Sequence, residues 1–157
     1  MKYTRLTKEQ FEELHTEFTN FLASQQIDKA EWEIIKAEKP HVMEEELDVF
    51  SDLIWEGALK KASYMEHYST THIFLFYFDN DAINTIVIKS LNSGIDFMTV
   101  EGLRWLSDSV FTDEVEIKHG GRPFVNDRNT EVFEIIRQGA ILSDGALYEQ
   151  FKEMLKL

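Results

Sequence analysis

The chain has no cysteine, which excludes disulfides, a thiolate nucleophile and any cysteine-held zinc or iron–sulfur centre. No apolar run approaches the roughly 20 residues that a membrane-spanning helix needs. The opening MKYTRLTKEQ lacks the apolar stretch and small-residue cleavage site of a signal peptide, so none is expected. Positive charge is scarce. Lys and Arg number 16 against 29 Asp and Glu, for a formal charge of −13. That balance argues against nucleic acid or an anionic membrane surface as a partner. It leaves room for a basic protein partner, a homodimer, or plain solubility. Also absent are G-x-S-x-G, H-E-x-x-H, G-x-G-x-x-G and any Cys–His pair, the motifs that would announce a hydrolase, zinc protease or dinucleotide enzyme. No cofactor is implied, the pattern leans away from an enzyme, and a cytoplasmic location is the default expectation.

What is present suffices for one domain, residues 1–157, with 43% hydrophobic and 13% aromatic residues available for a core. The densest apolar stretch is His72 to Leu91, HIFLFYFDNDAINTIVIKSL, broken by Asp79-Asn80-Asp81. Two aromatic and β-branched runs around a turn-prone break predict a β-hairpin. In the first strand His72, Phe74, Phe76 and Phe78 alternate with Ile73, Leu75 and Tyr77, so both faces are apolar and an interior strand is expected. The second strand is less symmetric and reads as partly exposed, or as an edge.

Before the hairpin the pattern is helical. Thr7 to Gln10 fits a capping box, and Phe11, Leu14, Phe18, Phe21 and Leu22 follow at helical spacing, predicting one helix to about Ser24. Asp28 with Glu31 signals a second start, and Pro40 ends that helix or the linker after it. Residues 41–65 read as the longest helix. Its acidic beginning, Glu44 to Asp48, suits the positive end of the helix dipole. Its broad apolar girth, with Phe50, Ile54, Trp55 and Leu59, marks either a central helix or an interaction surface.

After the hairpin, Thr99 is placed to cap a helix to about Ser109, interrupted by Gly102. Val115 to His119 alternates as a strand, and Gly120 to Asp127 reads as a loop. Asn129 opens a helix that Gly139 stops, Ala140 to Leu142 makes a short strand, and Ser143 or Asp144 starts the last helix. The expected class is α+β: a helical part, 1–68, of about three helices, and a mixed α/β part, 69–157. The sheet is expected to be a small mixed one, an antiparallel hairpin extended by crossover strands.

Candidate chemistry is sparse. Glu12 and His15 share a helix face, but a di-iron bundle needs two such pairs and two further Glu on facing helices, so this pair alone implies no metal. Glu66, His67 and His72 flank the hairpin and are candidates to meet in space. Asp79-Asn80-Asp81 lacks the central Gly and closing Glu of a calcium loop, so a turn is expected. The basic cluster Lys118-His119-Gly120-Gly121-Arg122, followed by Arg128, is the best candidate for an anion site. A glycine-rich turn there would aim backbone N–H groups at a phosphate, helped by the following helix N-terminus. No metal site is expected. The preferred reading is a non-catalytic interaction module, an acidic adaptor, chaperone-like protein or inhibitor, with an anion-binding domain as the alternative.

The segments TRLTKEQFEELHTEFTNFLA, IDKAEWEIIKAEKP, EEELDVFSDLIWEGAL and FEIIRQGAILSDGALYEQF together resemble a family of small acidic proteins of Bacteroidetes, a domain of unknown function. The resemblance runs end to end. It implies a single-domain cytoplasmic bacterial protein and no particular activity.

Overall fold

Thr7 supplies the first structural decision. Its backbone is extended, its hydroxyl accepts from the Gln10 N–H at 3.2 Å, and the Gln10 side chain accepts from the Thr7 N–H at 2.8 Å. These reciprocal bonds start α1 (Lys8–Glu13), as the capping box predicts. The computed structural model describes residues 1–157. At Leu14 the backbone leaves helical geometry (φ −98°, ψ 21°), so the single helix expected here is two, α1 and α2 (His15–Ser24). Asp28 caps α3 (Lys29–Glu38) by accepting from Glu31 N–H at 2.8 Å. Of the two expected roles Pro40 takes the second: it ends the linker after α3 and opens α4 (Pro40–Lys61); at the first helical position its missing N–H costs nothing.

The chain divides into two compact units, Met1–Lys60 and Lys61–Leu157. In the first, the acids of α4 lie beyond its first turn and meet the N-terminal arm instead of the helix dipole. Arg5 pairs with Glu44 and, at 2.7 Å, with Asp48. Lys2 pairs with Glu56 at 2.7 Å. The N–H groups of Lys2 and Tyr3 donate to Asp52, that of Leu6 donates to the buried Ser51 hydroxyl at 3.0 Å, and Trp55 donates to Thr4 C=O. As the arm advances its partners step back along α4, so the two run antiparallel. Beneath it Phe11, Phe18 and Phe21 surround Phe50 at ring-centroid distances of 5.9, 5.0 and 5.4 Å, and Trp32 meets Phe18 edge-on at 5.4 Å.

The second unit is built on a five-stranded sheet of order β4-β3-β2-β1-β5. The strands are β1 (Tyr64–Tyr68), β2 (His72–Phe78), β3 (Ala82–Ser90), β4 (Val115–Pro123) and β5 (Ile141–Ser143). Between them lie α5 (Val100–Ser109), α6 (Arg128–Arg137) and, last, α7 (Ala146–Leu155). The α+β class stands, with four N-terminal helices before the sheet. Three local expectations change. Every pairing is antiparallel, so the sheet is not mixed. The α5 excursion leaves and re-enters at one end of the sheet, where Leu91 N–H donates to Glu114 C=O at 2.8 Å, and β4 therefore returns opposite in sense to β3. Strand β3 is interior rather than an edge, because β4 continues through Gly120 and Gly121 and covers it. Residues 64–68, expected within the helical part, form β1; α4 stops at Lys61.

On one sheet face Ile73, Leu75, Ile86 and Ile88 are fully buried and pack with Phe97, Leu106 of α5, and Tyr148 and Phe151 of α7. On the other, Phe74, Phe76 and Phe78 stack in a row along β2 at 6.4 and 6.0 Å. There Phe76, Ile83 and Thr85 share a cleft with Thr130 and Ile135 of α6. No helix is long and apolar enough to cross a membrane.

Two substitutions test these joints. In Gly102→Ala the new Cβ would stand 1.9 Å from the Asp96 carbonyl oxygen. Helix propensity alone would favour alanine by about 1 kcal/mol, but an overlap with backbone costs about 1–3 kcal/mol, so urea unfolding should report net destabilisation. Ser51→Ala leaves the buried Leu6 N–H without an acceptor. It should lower stability by about 1–3 kcal/mol, read in the same experiment; no loss would mean that the arm is not anchored there.

Candidate functional site

Helices α5 and α7 each bury only part of an apolar stripe. On α5 and its C-cap the stripe is Leu103, Leu106 and Val110; on α7 it is Leu147, Phe151 and Met154, both at helical spacing. Leu106 and Phe151 reach the core, while Leu103 and Met154 remain 40% and 38% exposed. The stripes converge over Tyr68 of β1 and enclose a groove of ≈ 550 Å³, rimmed by Ser107, Gln150 and Glu153. That volume is in the range of ligand and peptide pockets, which are mainly apolar with a few placed polar groups.

The groove's polar chemistry is limited. Tyr68 donates its hydroxyl to Glu66 Oε2 at 2.8 Å. Burial and that bond hold the phenol well above its ordinary pKa, so it stays protonated with its one hydrogen committed to Glu66. The lining includes one carboxylate, Glu153, and no Lys, Arg or His. No nucleophile–base pair is present among these residues. The arrangement can hold an apolar group and offer acceptors to a donor; it has no positive charge for a carboxylate or phosphate.

Of the six residues expected to hold an anion, Lys118 to Arg122 lie together along one open depression, and Arg128 stands apart. Lys118, His119, Gly120, Gly121 and Arg122 lie in strand β4, not in a loop, so their N–H groups alternate in direction and form no cradle. Alternation also puts Lys118, Gly120 and Arg122 on one face and His119 and Gly121 on the other. Lys118 pairs with Glu116 at 3.2 Å and Arg122 with Glu131 at 2.8 Å. Burial opposes ionisation of Glu131, but Arg122 and the N–H groups of Asn126 and Val125 outweigh it and hold the carboxyl below the usual range. Arg128 is turned elsewhere. It donates to Asp79 C=O at 3.0 Å and Ala62 C=O at 2.6 Å, fastening α6 to the hairpin turn and to the start of β1. The N-cap of α6 is Asp127, not Asn129. Lys118 to Arg122 line a shallow depression over Ile83, Thr85 and Val87.

Of the four residues expected to form an interaction surface on α4, Phe50 and Leu59 are buried and Ile54 and Trp55 are half-buried; the exposed large apolar residues of α4 are Val49 and Leu53. His67 and His72 do approach a common neighbour, each stacking on Phe74 at 5.8 and 5.7 Å, while Glu66 lies on the opposite face. Asp79 accepts from Asp81 and Ala82 N–H, both at 2.7 Å. Those bonds hold its carboxyl below the usual range and identify a turn residue. No group of three or more His, Asp or Glu is placed to hold a metal ion. The groove itself escaped sequence reasoning: its apolar positions were legible as helix stripes, but Tyr68 sits on the one strand that the helical pattern concealed.

No curated protein matches the chain, and no solved structure does. A family model described as "Family of unknown function (DUF6495)" matches residues 1–156. With a match of that extent, the chain belongs to this family of unknown function.

Proposed function

We propose that the protein is a non-catalytic binding module whose α5–α7 groove takes up the apolar face of a short helix from a basic partner protein. The observation that carries this reading is the groove between Leu103 and Met154, apolar along its walls and open to solvent. A helix laid in such a groove anchors through residues at i, i+3 or i+4, and i+7, the same spacing that the two lining stripes present. The charge of −13 favours a basic partner and would speed its encounter at low salt. Lining without Lys or Arg disfavours acidic or phosphorylated segments. The anion-binding alternative has weaker support, because Arg122 and Arg128 are already occupied by Glu131 and by backbone carbonyls.

Leu103→Glu and Met154→Glu change exposed lining residues and should leave the thermal midpoint close to that of the unaltered protein. Affinity capture from the source cells, followed by cross-linking and mass spectrometry, should recover a basic protein cross-linked to α5 or α7. Both variants should lose it. Equal recovery by the variants, or cross-links elsewhere only, would contradict this reading.

A further inference from the structure

Strand β4 ends the sheet, with no neighbour on its outer side. Which of its backbone groups point outward follows from the register. Leu91 N–H donates to Glu114 C=O and Phe124 N–H to Asp81 C=O. The same register places Lys89 opposite Glu116, Val87 opposite Lys118, Thr85 opposite Gly120 and Ile83 opposite Arg122. In an antiparallel pair alternate residues turn both N–H and C=O toward the partner strand. Glu116, Lys118, Gly120 and Arg122 therefore bond to β3, and Ile117, His119 and Gly121 present their N–H and C=O to the open side. His119 and Gly121 are exposed.

That open row is complementary to itself. A second copy laid antiparallel about a two-fold axis through His119 sets His119 opposite His119 and Ile117 opposite Gly121. Each of these pairs would exchange two hydrogen bonds, as residues of this phase do in an antiparallel ladder. Between them, at the positions where facing side chains come closest, Glu116 meets Arg122 of the second copy. Lys118 meets Gly120, which has no side chain to obstruct it. Glu116 already neighbours Lys118, and Arg122 neighbours Glu131. Joining two copies thus produces a row Lys118, Glu116, Arg122, Glu131 that alternates in sign across the junction.

We propose that β4 is a homodimerisation edge, pairing with β4 of a second copy in the register centred on His119 to give one continuous antiparallel sheet. The matched charges at equal distances on either side of His119 single out a second copy as the occupant. Edge strands that proteins keep unpaired are usually short, charged, proline-bearing or bulged; β4 carries Lys118, Arg122 and Pro123, but it is nine residues long and regularly paired to β3.

Sedimentation velocity over a wide concentration range provides the test. The protein should show a reversible monomer–dimer equilibrium. His119→Pro removes an outward N–H while leaving the bonds to β3, a place where an edge strand tolerates proline, and should abolish the dimer. Glu116→Arg and Arg122→Glu each set like charges opposite one another and should weaken the dimer about tenfold or more, some 1.4 kcal/mol. An equimolar mixture of those two variants should recover it, because both junctions of a mixed dimer are again of opposite sign; misfolding could not produce that rescue. A monomer at every concentration, a dimer indifferent to these substitutions, or no recovery on mixing would overturn the proposal.

Discussion

Strand β2 has neither a polar face nor a free edge. Ile73 and Leu75 are fully buried on one side, Phe78 on the other, and β1 and β3 flank it along its length. Covering a strand of this kind needs apolar material on both faces, and much of the Lys61–Leu157 unit is arranged to supply it. Helices α5 and α7 bring Leu106, Tyr148 and Phe151 against the Ile73–Leu75 face. Arg128, through the Asp79 and Ala62 carbonyls, fixes where α6 begins on the opposite side.

The groove is a by-product of that covering. Two helices reaching the same four isoleucine and leucine side chains bring their apolar stripes together, but only the inner residue of each stripe is needed to close the core. Leu103 and Met154 are left at the surface. Exposed apolar residues scattered singly are ordinary on a protein surface; converging ones around a common concavity indicate a place where another molecule fits. The role proposed for the groove needs no reactive constellation, since holding an apolar segment requires shape and desolvation rather than acid–base chemistry.

The sequence was informative where a residue acts locally. Thr7 with Gln10, Asp28, Thr99, and Gly139 at φ +110° all do what their types suggest at their positions. The β2–β3 hairpin was legible because its alternation and its Asp79 turn are contained within a few residues. Failures came where the deciding partner is distant in the chain. Tyr64 and Met65 looked like the end of a helix because Met65 continues the helical stripe of α4, and only pairing with β2 and β5 makes Tyr64 to Tyr68 a strand. Gly120 and Gly121 looked like a turn because glycine usually makes one, yet β3 holds them extended. That single difference moved the basic cluster from a presumed loop to a sheet edge. The burial of Phe50 likewise depends on Phe11, Phe18 and Phe21 arriving from other helices.

The central claim is that β2 is the fixed axis of the Lys61–Leu157 unit and that α5 and α7 are layers added to it. Native-state hydrogen exchange measured residue by residue addresses this directly, because amides that open only on global unfolding report the full stability of the unit. The account predicts that Ile73, Leu75 and Tyr77 of β2, with Ile86 and Ile88 of β3, exchange slowest within that unit, and that α5 and α7 open at lower free energy. Amides of α5 or α7 outlasting those of β2 would contradict it.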